Sequence, residues 1–412
     1  MKKLLTYTKA WLRLLLSIVI ISQFFIVEDI KAQDINHGIN KDWLIKKFIK
    51  LDLAINNGEG YSNYTNEVGT LAWAESYLLE SYLDMYLATK DINFIEKFVQ
   101  HAEKVVNNTD KARSVKDYKG RSRIGWSATK YTVDNKPMIF LVHSAMITYP
   151  LAKFSLIVKN DKNFNKYSKI ANKFLNLTIE AIKEFDPQFR YDEKTGEGSY
   201  WWEGDEPLKT DLKAPPPFNF SLSAGRVFVL LYKITKEKVY LDKATSLAKY
   251  FKHNLILTED NAYLWGYRAD IKKFPAYEDI SHGGIDLDFA ILCAENGIIF
   301  DENDMKRFVN TLLRLKKADD GFFNYVNKTD ILGENSNIGG KKADLSFTIG
   351  RWLELSQFDC SAYKVIAPFL IKRINNSEKE HPIVLLGLAK LIKYYDKCEK
   401  NKRFIEVSHE NQ

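Results

Sequence analysis

A pattern of paired helices recurs along the chain and restricts its fold more than any other feature of the sequence. In each copy an apolar helix is followed by a short polar turn and a second, amphipathic helix whose apolar residues return every three or four positions. The copies lie about 60 to 75 residues apart, around residues 85–94, 156–164, 231–240 and, more loosely, 292–315. Helical spacing also marks 71–87, 139–158, 170–185, 345–355 and 383–395, whereas alternating segments typical of strands are scarce. The sequence therefore predicts a nearly all-helical chain of stacked helical hairpins.

Long connections separate successive hairpins, whereas the turn inside each hairpin is short. These connections are rich in aromatic residues and glycine and are too long to be simple links; they comprise residues 108–137, 186–220, 258–284 and 318–342. Short turns at one end and long loops at the other favour an all-α fold, an (α/α)6–7 toroid. Such an incomplete barrel of helical hairpins would carry a cleft formed by the long loops at one end. An open solenoid such as a tetratricopeptide array is the alternative, but its repeats would be shorter and its turns more uniform.

The first 33 residues have the features of a secretory signal peptide. Basic residues precede an apolar run at 14–27, and residues 30–33 provide a small-residue cleavage site. We therefore predict a secreted or periplasmic protein, with an uncleaved anchor as the alternative, and no further apolar stretch approaches about 20 residues. Residues 34–400 are predicted to form a single toroid domain and residues 401–412 a polar C-terminal tail.

The charge and the cysteines exclude several kinds of function. The formal net charge is +7, from 60 basic and 53 acidic residues. This mild excess does not indicate nucleic-acid binding but is compatible with a polyanion in a local basic groove. Cys293, Cys360 and Cys398 are widely spaced and imply neither a disulfide framework nor a metal site. We expect no cofactor, no metal, no membrane contact after signal cleavage, and a monomer.

Aromatic residues cluster in the long loops, where the helical pattern has stopped. Trp201 and Trp202 lie in one loop and Trp265 in the next. Large aromatic faces suit stacking against sugar rings, but the same side chains could fold back and cap the helix ends, because aromatic residues bury large apolar areas wherever they can. We expect at least one of the three to form an exposed stacking platform.

The densest polar group in the chain lies at residues 277–284, just before an apolar helix. Glu278 and Asp279 could favour the helix N-terminus through its dipole, and His282 could merely bond a neighbouring carbonyl group. A pair of glycines follows, and glycine lets a ligand or another backbone approach closely. Glu278 and His282 are therefore candidate site residues.

Two further helices begin with candidate site residues. A run of prolines at 215–217 precedes a helix that carries Asn219 in its first turn and Arg226 two turns later. The Asn219 amide could bond a ligand or cap the helix. His143 lies in the apolar run 140–146, where a histidine is either a satisfied core residue or a catalytic group.

Four of these segments together resemble the (α/α) toroid polysaccharide lyases, nearest the single-domain alginate or glucuronan lyase type. The resemblance is carried by residues 141–150, 217–226, 263–267 and 278–283 and extends in general organisation over about residues 60–395. Six-hairpin glycosidases and sugar epimerases share this scaffold.

The resemblance implies β-elimination on an acidic, uronate-containing polysaccharide. A base would remove the C5 proton, and donors of the type of Asn219, His282 and Arg268 would neutralise the adjacent carboxylate. Tyr267 is the first choice for a residue acting as base and acid, because the neighbouring Arg268 would favour its phenolate, and Tyr325 is the second choice. The predicted catalytic residues are Tyr267, His282, Asn219, Tyr325 and His143, and the predicted substrate-binding residues are Trp201, Trp202, Arg226, Trp265, Arg268 and Glu278.

Two other functions remain open. An inverting glycoside hydrolase would need two carboxyl groups roughly 6.5 to 9.5 Å apart, for which Glu203, Asp205, Glu206, Glu278 and Asp279 are candidates. The other alternative is an exported glycan-binding protein without activity.

Overall fold

The computed structural model describes residues 40–319, 321–330 and 344–409, with side chains as far as residue 399. The predicted signal peptide and much of the loop at 318–342 lie outside the described residues. The chain divides into two units, residues 1–49 and residues 50–412, and helix α1 (Lys41–Leu53) runs across the boundary. Everything described below belongs to the second unit.

Helical hairpins make up most of the second unit, as the repeat predicts. A π-helical turn, Leu71–Glu75, leads directly into the first hairpin. The paired helices are α2 (Ser76–Thr89) with α3 (Ile92–Asn107), α4 (Leu141–Asn160) with α5 (Ser168–Lys183), α6 (Phe218–Thr235) with α7 (Lys238–His253), and α8 (Ile280–Glu295) with α9 (Glu302–Leu315). A 3-10 helix, Ser346–Gln357, pairs with α10 (Ser361–Asn375), and α11 (Pro382–His409) ends the described chain. The segment 401–409, predicted as a tail, is thus a continuation of α11.

The first helices of the hairpins form a closed inner ring. Helix α2 packs against α4, α4 against α6, α6 against α8, α8 against the 3-10 helix, and the 3-10 helix against α11, which returns to α2. The remaining helices pack outside this ring on their own hairpin partners. The ring closes through the contact of α11 with α2, so the chain forms a toroid rather than an open solenoid.

Local sequence signals explain where the short turns fall. Lys90 ends α2 and Lys236 ends α6, and both adopt left-handed backbone conformations, with φ of 61° and 64°. The Asp91 side chain then accepts a hydrogen bond from the backbone N–H of Asn93 and starts α3. These short turns join the end of each inner helix to its outer partner. The long connections therefore fall at the opposite end of the ring, where the inner helices begin.

Strands are few and short in the described chain. β1 (Phe189–Asp192) pairs with β2 (Glu197–Tyr200), and β3 (Ile256–Leu257) pairs with β4 (Tyr263–Leu264), both antiparallel. They form hairpins within the second and third long connections, and they give those loops a fixed backbone.

Charged side chains fill part of the ring's interior, and Arg226 is one of them. This side chain is 0% exposed, its Nη1 lies 3.2 Å from Asp288 Oδ2, and its guanidinium lies 4.2 Å from the centre of the Tyr149 ring. Buried charges need such partners, because an unpaired ion in the interior is costly. The prediction that Arg226 binds substrate is therefore wrong, since the helix turns this residue into the core.

Two of the cysteines are joined, which the sequence spacing did not indicate. Cys360 and Cys398 form a disulfide with Cα atoms 5.4 Å apart, and Cys293 is free and buried. The disulfide links the start of α10 to α11, and these two residues are 38 positions apart in the chain.

Helix α4 is long and apolar enough to cross a membrane by length and composition. Within the described residues it alone passes that test, but 83% of its apolar window is buried in the protein. It is one of the inner helices of the ring, and α2, α5 and α6 pack against it.

Candidate functional site

A cavity of about 470 Å³ lies at the end of the ring where the inner helices begin. His143, Asn219 and His282 stand in the first turns of α4, α6 and α8 and share its wall. Trp73, Val142 and Phe220 also line it from helical elements, and the long connections supply the rest: Lys130, Tyr131, Phe140, Trp202, Leu208, Lys209, Thr210, Pro217, Tyr267 and Arg268. Because helix N-termini carry partial positive charge, this end of the ring favours a negatively charged ligand.

Six of the predicted site residues meet at this cavity. They come from five separate segments of the chain, and they are His143, Trp202, Asn219, Tyr267, Arg268 and His282. Their assigned roles in catalysis and binding remain predictions, although the fold gives them one common location.

Trp265 and Glu278 are buried, and the prediction that they bind substrate is wrong. Both are 0% exposed. The Trp265 indole N–H donates to Asp286 Oδ2 at 3.1 Å, and its ring stacks on Trp352 with centroids 6.1 Å apart. Burial, together with the neighbouring carboxylate of Asp286, raises the pKa of Glu278 well above its usual range.

Trp201 and Tyr325 are partly exposed but do not line the cavity. The Trp201 indole N–H donates to Ser199 Oγ at 2.9 Å, and the Arg190 guanidinium lies 4.8 Å from its ring centre. Tyr325 is half-buried, and its backbone N–H donates to the carbonyl of Thr329. Neither residue therefore lies where its predicted role, substrate binding for Trp201 and catalysis for Tyr325, requires it.

Asp279 and His282 form an oriented pair at the start of α8. Asp279 Oδ1 accepts the backbone N–H groups of Ser281 and His282, and its Oδ2 lies 2.6 Å from His282 Nδ1. Burial opposes the charged imidazole, but the hydrogen bond and the charge of Asp279 outweigh it and raise the pKa of His282. The pair leaves His282 Nε2 as the free ring nitrogen on a side chain that lines the cavity.

Tyr267 lies beside this pair, with its ring centre 5.7 Å from that of His282. Burial raises the pKa of its hydroxyl well above the usual range, and Glu278 raises it further, whereas Arg268 lowers it by a smaller amount. The effect of Arg268 is therefore the smaller one, and the shift does not support a phenolate at Tyr267. The neutral hydroxyl is suited to donating a proton rather than accepting one.

His143 is held neutral in one tautomer by Asn66. The Asn66 amide orientation is fixed by the backbone, because its Nδ2 donates to the carbonyl of Trp126 at 2.9 Å and its Oδ1 accepts from Ala72 N–H at 3.1 Å. The second Nδ2 hydrogen points to His143 Nδ1 at 3.2 Å. Burial lowers the pKa of His143 to about 3, so the ring is neutral, accepts at Nδ1 and carries its proton on Nε2.

The cavity is cationic. Lys130, Lys209 and Arg268 line it, and none of the described lining residues is an Asp or Glu. The Arg268 guanidinium is anchored by the carbonyl of Pro215 at 2.6 Å and by Thr210 at 3.3 Å. The Asn219 amide oxygen is buried and has no hydrogen-bond partner in the described part of the chain.

The candidate carboxyl groups of the second loop do not line the cavity. Glu206 is buried, accepts from Gln188 and from the backbone N–H of Glu203, and has its pKa raised to about 7 by burial. Glu203 and Asp205 both pair with Lys119.

One group of side chains in the described chain has the composition of a metal site. Ligand atoms of Glu278, Asp279 and His282 lie within 4.8 Å of one another. Both Asp279 oxygens already accept hydrogen bonds from α8, and burial beside Asp286 raises the pKa of Glu278, which disfavours the charged form that binds a metal ion. The arrangement serves as a hydrogen-bonded support for His282.

Sequence reasoning missed Trp73 and Asn66. Trp73 lines the cavity but falls within the apolar stretch 71–87, which reads as core. In the structure it stands on the π-helical turn, and π turns occur often at functional sites. Gly69 was the residue in the sequence that could have pointed to this turn. Its φ is 85°, and a Cβ there would lie 2.6 Å from the Trp73 ring, so the position requires glycine.

No protein-family model matches this chain, and no curated protein sequence matches it. Solved structures do match. An unsaturated glucuronyl hydrolase from Streptococcus agalactiae is 14% identical over 87% of this chain and 93% of its own, with a TM-score of 0.52. A family 76 α-mannanase from Bacteroides thetaiotaomicron is 11% identical over 90% and 98%, also at 0.52, and a family 76 α-1,6-mannanase from Salegentibacter sp. HEL1_6 is 11% identical over 87% and 100%, at 0.51.

The fold is an (α/α) toroid. This confirms the predicted fold class. At such low identity the likeness shows the fold alone, and the lyase type suggested by the sequence resemblance is not shown by it.

Proposed function

We propose that this chain is an enzyme that cleaves an anionic glycan in the cavity at the N-terminal end of its inner helices. The observation that carries the proposal is the lining: three cations, aromatic faces and neutral donors meet there, and no described lining residue is acidic. Such a surface repels neither carboxylate nor sulfate groups, and its aromatic rings suit the faces of sugars. Solved structures of the same fold are named as glycan hydrolases, which supports activity on a glycan.

The lining favours β-elimination as the reaction. Arg268 can neutralise a uronate carboxylate, and the Nε2–H of His143 and the amide N–H of Asn219 can donate hydrogen bonds to it, which together make its C5 proton more acidic. His282, oriented by Asp279, would take that proton on Nε2 in its neutral form. As the C4–O4 bond breaks and the C4–C5 double bond forms, Tyr267 would give its proton to O4.

Hydrolysis is the second candidate, and the comparisons favour it. The matched structures of known activity named above are hydrolases. Glu206, with a pKa of about 7, has the protonation behaviour of a general acid. It would have to turn out of its contact with Gln188 to reach a substrate in the cavity.

The disulfide supports the prediction that the chain is exported. Disulfides persist in oxidising compartments and are rare in the cytosol, and the pair Cys360–Cys398 is formed in this fold. We therefore propose that the protein is secreted or periplasmic.

The test is to incubate the purified protein with alginate, glucuronan, glycosaminoglycans and α-mannan, and to follow ultraviolet absorbance and reducing ends together. Elimination produces an absorbing double bond with each new end, whereas hydrolysis produces ends alone. We expect Tyr267→Phe to lower kcat at least about 100-fold, and Tyr325→Phe to retain it. Reducing ends without absorbance would replace elimination by hydrolysis, and cleavage of neutral mannan alone would contradict an anionic substrate.

A further inference from the structure

A second cavity adjoins the first on the far side of His282. Its volume is about 250 Å³, and it shares Trp73 and His282 with the first cavity. The π-helical turn that carries Trp73 and the first turn of α8 therefore form a partition with a cavity on each side. The mechanism described above uses only one of them.

The lining of the second cavity differs in charge from that of the first. Tyr77, Phe347 and His381 supply aromatic surface, and Ser281 and Thr348 supply hydroxyl groups. None of its described lining residues is Lys, Arg, Asp or Glu, whereas three cations line its neighbour. A carboxylate bound there would lose its hydration and find no Lys or Arg to replace it, and the charge of His282 is already paired with Asp279.

The aromatic groups of the second cavity are held in place. The His381 ring meets Tyr77 with centroids 6.5 Å apart and Phe347 with centroids 5.9 Å apart, both edge-on. His381 Nδ1 accepts the backbone N–H of Ile383 at 3.2 Å, which leaves Nε2 to carry a proton as a donor in the neutral ring. The Arg373 guanidinium lies 5.6 Å from the centre of the Phe347 ring and supports it. A preformed aromatic wall with a few neutral donors matches the apolar face and hydroxyl groups of a neutral sugar.

We propose that the second cavity binds an uncharged sugar unit next to the acidic unit held in the first cavity. The substrate would then be a polymer in which uronate residues adjoin neutral ones, with the reacting linkage over Trp73 and His282. This inference rests on the proposed function for the identity of the first unit. A neutral-sugar site would select for the neighbour of the uronate, which the cationic cavity alone does not do.

The experiment compares polymers that differ in the neighbour of the uronate. Hyaluronan and unsulfated chondroitin alternate glucuronate with an uncharged amino sugar, whereas glucuronan and polymannuronate contain uronate alone. We expect kcat/KM to be at least about tenfold higher for an alternating polymer. Phe347→Ala should raise KM for it about tenfold with kcat within about twofold, and Tyr191→Ala, which changes an exposed tyrosine of β1, should leave both values unchanged.

Failure of this inference is distinguishable from failure of the proposed function. If homopolymers are cleaved as well as alternating ones, or if Phe347→Ala leaves KM unchanged, the second cavity does not select a neutral sugar although the enzyme activity stands. If no polymer is cleaved, binding of hyaluronan oligosaccharides is followed by tryptophan fluorescence. Binding that Phe347→Ala weakens and Tyr191→Ala does not supports the inference, and equal or absent binding in all three proteins overturns it.

Discussion

The neutral state of His143 makes a specific prediction about stability. Its pKa is about 3 in the folded chain and about 6.5 in an unfolded one. Because the folded value is the lower, the unfolded chain takes up the proton first as the pH falls. The contribution of His143 to stability is therefore fully present above pH 6.5 and is lost progressively as the pH falls toward the folded pKa. At pH 5 the loss is about 2 kcal/mol, and it is set by the unfolded value, since the folded ring is still neutral there.

The measurement is urea unfolding at pH 7.5 and pH 5.0 for the wild type and two variants. His143→Asn keeps an acceptor for Asn66 but cannot titrate, whereas Ser144→Ala changes a neighbouring buried side chain and removes no titratable group. Carboxyl groups whose raised pKa values act in the opposite direction, such as Glu206, are common to all three proteins and cancel in the comparison.

We expect the stability lost between the two pH values to be about 2 kcal/mol larger in the wild type and in Ser144→Ala than in His143→Asn. Equal losses in all three proteins would show that the folded chain protonates His143 readily. The ring would then not be a neutral Nε2–H donor, and its role beside the substrate carboxylate would have to be withdrawn.

Two further predictions concern other parts of the molecule. Asp279→Asn keeps a residue type that caps helices but removes the charge that raises the pKa of His282. Because the neutral ring then forms at lower pH, the acidic limb of the kcat/KM profile should move to lower pH. An unmoved limb would rule out His282 as the base. Cys360→Ser opens a disulfide that spans 38 residues and should lower the free energy of unfolding by about 4 kcal/mol in the chain-entropy account. Reductant should shift the urea midpoint of the wild type and not that of the variant. Equal sensitivity of the two proteins to reductant would refute a stabilising disulfide.

The fold was predictable because its signal is local and repeated. Apolar spacing defined the helices, and the contrast between short turns and long loops indicated which end of the ring carries the cavity. The same reasoning brought His143, Asn219 and His282 forward, because each stands at the start of an apolar helix just after a long connection.

The errors arise where the environment comes from distant parts of the chain. Trp265 and Arg226 belong to residue types that bind sugars, but ring closure places Trp352 and Asp288 against them and buries both. The protonation state of Tyr267 depends on its burial and on Glu278, neither of which its sequence neighbour Arg268 reveals. Trp73 was missed for the opposite reason, since a π turn exposes a residue that regular helical spacing would assign to the core.

The contact that closes the ring also governs when the site can exist during synthesis. The groups assigned to the first cavity end at His282, yet the inner wall that supports them is complete only when α11 packs against α2. A ribosome that has delivered every residue proposed to act in the first cavity has therefore still not delivered α11, which packs against α2. A chain truncated before Pro382 would carry every group assigned to this cavity but would lack the helix that closes the ring, so we expect α2 and its π turn to lose their support.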